Sequence, residues 1–119
     1  MTERVWWLFE LQLKGGKDDA FAALMDDMVA ATRANEPGTV AYEWSRGADG
    51  TTVHLHEGFA DAASAMVHCT AFGANFASRF FDILTPVRIT VYGAPDDAVK
   101  QALGGLTPIY MTCVGGFTR

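Results

Sequence analysis

The stretches Thr39-Val-Ala-Tyr-Glu-Trp-Ser-Arg46, Gly47-Ala-Asp-Gly50 and Thr51-Thr-Val-His-Leu-His-Glu-Gly58 decide the fold. The outer two are rich in β-branched and aromatic residues alternating with polar ones, which is the pattern of strands. The tetrad between them is turn chemistry, so the three read as one antiparallel hairpin. A four-residue loop would set Val40, Tyr42 and Trp44 beside Glu57, Leu55 and Val53 on one face. The other face would carry Ala41, Glu43 and Ser45 beside His56, His54 and Thr52. The first face is apolar except for Glu57, and the second is polar, so a covering layer is needed on one side only.

The flanking sequence supplies that layer. Upstream, Val5, Trp7, Phe9, Leu11 and Leu13 share one parity of a period-two run that ends at Gly15-Gly16. Asp18 then stands as N-cap of a helix in which Phe21, Leu24, Met25, Met28, Val29 and Thr32 fall on one side, stopped by Pro37-Gly38. Downstream, Asp61 caps a second helical region that runs toward Leu84 with a break at Gly73. Thr85-Pro86 closes it, and Val87 to Tyr92 reads as a fourth strand. The order β-α-β-β-α-β over residues 1–92 predicts an α+β, ferredoxin-like domain with both helices on one face of an antiparallel sheet. Gly93-Ala-Pro introduces an extension, 93–119, with a short helix from Asp96 to about Leu103 and a strand from Leu106 to Phe117. Core and extension together are expected to form a single domain. Trp6 and Leu8 lie on the face left bare, which predicts a homodimer formed sheet to sheet. The fifth strand either extends an edge or pairs with the neighbouring protomer.

Composition narrows the function. With 119 residues, 50% of them hydrophobic, the chain can bury a core of its own and is not disordered. Nine Lys+Arg against fourteen Asp+Glu leave a formal charge of -5, without the basic stripe that nucleic acid or an anionic membrane surface requires. Glu10 and Gln12 interrupt the apolar start before it reaches signal-peptide length, and no stretch approaches the roughly 20 apolar residues of a membrane span. Cys69 and Cys113 belong to neither a metal-ligand spacing nor a disulfide framework, so the expected location is the reducing cytoplasm. The pairs Gly104-Gly105 and Gly115-Gly116 are not phosphate loops, and no serine lies in a GxSxG elbow.

The chemistry centres on His68. On a helix it shares a face with Ala65, Phe72 and Phe76, turned toward the strand where Glu57 interrupts the apolar pattern. A buried carboxylate is costly unless paired, so Glu57 and His68 are expected to meet. The pair reads either as a general base or as a structural hydrogen bond at a helix-sheet junction. Asn75 and Arg79 fall on the same side and read either as donors to a developing oxyanion or as a helix-end amide and a solvated guanidinium. His54, His56 and Glu43 have the composition of a two-His, one-carboxylate metal set. Their place on the outer face, without a further ligand, favours a cross-strand or interface role, and no metal is expected.

Glu36-Pro-Gly-Thr-Val-Ala-Tyr42, Leu55-His-Glu57-Gly-Phe59 and Ala60-Asp-Ala-Ala-Ser-Ala-Met-Val-His68, followed by a Phe-containing helix, resemble the antibiotic biosynthesis monooxygenase family. Pro37, Gly38, Tyr42, Glu57, Phe59 and His68 stand where that family's recurring residues stand, with Phe59 in place of the common Trp. The resemblance implies a dimeric α/β barrel and a cofactor-independent monooxygenase acting on a small aromatic molecule, a phenol or quinol. It further implies catalysis by His68, Glu57 and Asn75, and a pocket walled by Tyr42, Trp44, Leu55, Phe59, Phe72 and Phe76, with Arg79 assisting. The family's haem-degrading branch carries an Asn on the first strand and a Trp at the end of the third. Glu10 or Gln12 and Phe59 stand there in this chain, so no cofactor is expected. A non-catalytic small-molecule binding or stress-response module on the same scaffold is the alternative.

Overall fold

The alternation Val5, Trp7, Phe9, Leu11, Leu13 makes β1 (Val5–Leu13) the centre of the sheet, with those five side chains buried and the intervening ones partly or fully exposed. The computed structural model describes residues 3–119; residues 1 and 2, the first of the expected core, lie outside the described residues. After β1 come α1 (Asp18–Asn35), β2 (Thr39–Arg46), β3 (Thr52–Phe59), α2 (Ala62–Asn75), α3 (Ala77–Ile83), β4 (Leu84–Gly93), α4 (Asp97–Leu103), a 3-10 turn (Gly104–Leu106) and β5 (Ile109–Met111). Among the described residues the sheet order is β2-β3-β1-β4-β5. The first four strands pair antiparallel in ferredoxin-like order, and β5 adds a short parallel edge beside β4.

Several local expectations are corrected. The hairpin register is displaced by two residues, pairing Tyr42 with Glu57, Trp44 with Leu55 and Glu43 with His56. Asp49 is the reason: its carboxylate accepts from the backbone N–H groups of Thr51 and Thr52, which holds Thr51 in the loop, and the Gly47 N–H closes the hairpin on the Thr52 carbonyl. A shift of two preserves parity, so the face assignment survives for Tyr42 and Trp44, whereas the bulge between Thr39 and Ala41 leaves Val40 exposed. Asp18 is not the N-cap of α1 but lies in its first turn with Asp19, where acidic groups suit the helix dipole, and it pairs with Arg46 of β2. Gly73 stays helical; the break falls at Phe76, whose N–H bonds to the carbonyl of Phe72 while its own carbonyl accepts from Phe80. The redirected α3 drives Phe80 fully into the core, against Phe9, Phe72 and Phe81. Pro86 sits inside β4, where the register against β1 slips, and the extra residue there, Val87, is exposed rather than buried. The expected fifth strand shrinks to three residues.

Two glycines are fixed by close approach. A Cβ on Gly38 would lie 2.1 Å from the Ser64 hydroxyl, so the Pro37-Gly38 turn can tuck under the start of α2 only without a side chain. Gly93 has φ of +87°, and a Cβ there would meet the carbonyl of Arg4 at 2.1 Å. In the extension, Asp96 caps α4 through Val99, and Val99 and Leu103 are buried. Among the described residues no helix is long and apolar enough to cross a membrane.

Candidate active site

Three elements deliver a charged group to one point beneath α2. β3 turns Glu57 inward in line with Val53, Leu55 and Phe59. The helix α2, capped by the Asp61 carboxylate on the Ser64 N–H, turns His68 inward one helical turn beyond Ala65. The third group is Glu36, at the end of α1, where the chain leaves the helix and its N–H still bonds to the carbonyl of Thr32. Its carboxylate folds inward and accepts from Thr39 Oγ1 at 3.0 Å and from His68 Nδ1 at 2.7 Å. On the other side of the ring, His68 Nε2 lies 2.7 Å from Glu57 Oε1. The Glu57 Oε2 atom accepts from the Trp7 indole N–H at 2.5 Å. The Nε2 to Oε1 contact is a buried ion pair. Tyr42 and Phe59 flank the imidazole, their ring centroids 5.6 and 5.3 Å away.

Burial decides the electrostatics. The three side chains are 3% to 7% exposed. Desolvation alone would pull His68 down, but the Glu57 charge and the Glu36 hydrogen bond outweigh it and push the imidazole up to about 10. His68 is therefore an imidazolium at neutral pH. For Glu36, desolvation acts upward, yet the hydrogen bond and charge of His68 hold it below the ordinary carboxylate range. Burial first, then the two carboxylates, push the Cys69 thiol up to about 12, so it is not a nucleophile. Tyr42 is raised by burial and then by the Glu57 charge.

Glu57 and His68 open onto a cavity of about 510 Å³ between the sheet, α2, α3 and the C-terminal extension, a volume within the range of small-molecule sites. Its walls include Trp7, Phe9, Leu55, Phe72, Phe80 and Phe81, with Leu103 and the half-buried Leu106 contributed by the extension. Of the residues singled out from the sequence, Glu57, His68, Leu55 and Phe72 line this cavity. Phe59 packs fully buried behind the imidazole. Phe76 packs against the core without lining the cavity. Tyr42 and Trp44 face a separate open groove against α1, lined by Met25, Val29 and Arg33. Asn75 is exposed at the last turn of α2, and Arg79 is drawn away to Asp27 of α1 at 2.8 Å. The break at Phe76 removes the helical register that would have aligned them with His68. On the outer face, His54 lies 3.9 Å from Glu10 and opposite Ser45, not Glu43. Among the described residues no group of three or more His, Cys, Asp or Glu is arranged to hold a metal.

Glu36 escaped the sequence reading. Its signal was electrostatic: a carboxylate at a helix C-terminus opposes the dipole and needs a cationic partner nearby. Arg33 in the same turn offered one, which masked the need.

A buried acid-base cluster under a ferredoxin-like sheet, opening on an apolar cavity, defines an α+β domain with a candidate small-molecule site. Residues 6–71 match the family model described as antibiotic biosynthesis monooxygenase, and the chain belongs to that family. Among solved structures it is similar to MupZ from Pseudomonas fluorescens, with 24% identity and a TM-score of 0.87 over 100% of this chain and 91% of that one. Rv0793 from Mycobacterium tuberculosis is 27% identical, with a TM-score of 0.64 over 80% of this chain and 98% of its own. SnoaB, a cofactor-independent oxygenase from Streptomyces nogalater, is 16% identical, with a TM-score of 0.65 over 80% of this chain and 96% of its own. No curated protein sequence matches significantly.

Proposed function

We propose that this chain is a cofactor-independent monooxygenase that takes an aromatic phenol or quinol into the cavity and removes its hydroxyl proton. The observation that carries this reading is the buried Glu57 and His68 ion pair, 2.7 Å between Oε1 and Nε2, that opens onto an aromatic-lined cavity. The expected base shifts from His68 to Glu57, because His68 already holds its proton at neutral pH. Proton transfer from the phenol to Oε1 leaves a phenolate in the cavity and a neutral Glu57, with the His68 imidazolium adjacent to both. The electron-rich phenolate can then pass an electron to dioxygen. Family membership supports the oxygenase chemistry, and the cavity's aromatic walls support the ring-bearing substrate. Homodimerisation through the bare sheet face, where Trp6 and Leu8 are half-buried, and a cytoplasmic location complete the proposal.

A second reading is favoured by the charged state of His68: an imidazolium paired with a carboxylate can move protons on a substrate without oxygen. Oxygen-electrode recordings with a panel of reduced naphthoquinols separate the two. The oxygenase predicts saturable oxygen uptake that falls about a hundredfold to ten-thousandfold in Glu57→Gln. Equal uptake by wild type and variant contradicts it, and product formation unchanged under argon selects the proton-transfer reading. Binding without turnover leaves a binding module.

A further inference from the structure

We infer that the cavity selects substrates that carry no anionic group, so that a carboxyl on the substrate skeleton must be absent or masked as an ester, amide or thioester before the molecule enters. This rests on the aromatic phenol or quinol reading and deepens it. Among the described residues lining the cavity, the only charged side chains are Glu57 and His68. With Glu36 they form a set of two carboxylates against one imidazolium, one negative charge in excess. A proton passing from a neutral phenol to Glu57 keeps that excess at one, because the phenolate gains what the cluster loses. A substrate already bearing a carboxylate would raise it to two in a largely apolar cavity whose lining, among the described residues, supplies no further cation.

Among the described residues no Lys or Arg lines the cavity, and Lys and Arg on the neighbouring elements have partners of their own. Lys14 donates to the carbonyl of Phe81, Lys17 pairs with Asp82, and Arg79 pairs with Asp27. On α4, Lys100 lies over the Tyr110 ring. The C-terminal wall is apolar as well, through Leu103 and Leu106.

Matched probes test this on the full chain at pH 7. Methyl 6-hydroxy-2-naphthoate and free 6-hydroxy-2-naphthoate share ring and hydroxyl and differ in charge and in one methyl group, whose apolar contribution is the same in wild type and Glu57→Gln. Their binding is followed by calorimetry. The inference predicts at least about tenfold tighter binding of the ester, a gap that narrows in Glu57→Gln as the excess negative charge is removed. Should that variant fail to fold, Leu106→Arg at the half-buried rim supplies a cation and is expected to shift preference toward the free acid. Equal or tighter binding of the free acid by the wild-type protein overturns the inference while leaving the aromatic site standing. Failure of both probes to bind overturns the aromatic reading itself, and this inference with it.

Discussion

Two groups of histidine and glutamate lie on opposite faces of the sheet around β3, alike in composition and unlike in setting. On the covered face His68 meets Glu36 and Glu57 at 2.7 Å each, with side chains no more than 7% exposed. On the bare face His54 stands 3.9 Å from Glu10, which Arg88 holds at 2.8 Å, with side chains 23% to 52% exposed. The residue types do not separate a candidate catalytic centre from a surface network; the dielectric does. Charges in water are screened to a small fraction of the interaction they have in an apolar interior, so the strong coupling is confined to the covered group.

The comparison is broken most severely by deleting each histidine. His68→Ala leaves two buried carboxylates without their cation and is expected to cost about 3–5 kcal/mol in urea unfolding, whereas His54→Ala is expected to cost under about 1 kcal/mol. Equal costs would show that the covered group is no more than a surface pair. Glu36→Gln keeps an acceptor for Nδ1 and removes only charge, so a smaller loss of about 1–3 kcal/mol is expected.

pH sharpens the contrast further. His68 is raised above the ordinary histidine value of 6.5 to about 10, so its stabilising contribution is complete below about 6.5 and is lost as pH rises toward 10. Glu36 is lowered, so its contribution is complete above its ordinary 4.5 and is lost on acidification. The stability gap between wild type and His68→Asn should therefore narrow from pH 6.5 upward, measured by chemical unfolding; a gap independent of pH in that range would contradict the clamp. The smallest effect is that of salt. Raising ionic strength should weaken the Glu10 and Arg88 contact, seen in a double-mutant cycle, and leave the His68 couplings nearly unchanged.

What could be read from the sequence follows from which interactions are local. Strand parity fixed which face of β1 and β3 is buried, and parity is insensitive to the two-residue register shift that Asp49 imposes. Glu57 and His68 were legible because each is a polar interruption of an apolar face. Asn75 and Arg79 were misaligned because the helix turns at Phe76, a bend set by where Phe80 packs, rather than at Gly73. Tyr42 and Trp44 share a face with Glu57, but α1 crosses the edge strand so that they line a different groove, and a crossing of that kind leaves no trace in periodicity. The extension's contribution to the cavity wall was equally hidden, since Leu103 and Leu106 reach it through tertiary packing.

The account stands on an imidazolium held between two carboxylates inside the fold. The chain has three histidines, so ring-carbon NMR resonances can be assigned by single substitution and followed from pH 5 to 11. The His68 resonance is predicted to remain in its protonated position through neutrality and to titrate near 10. Titration of His68 between pH 6 and 7 would contradict the account.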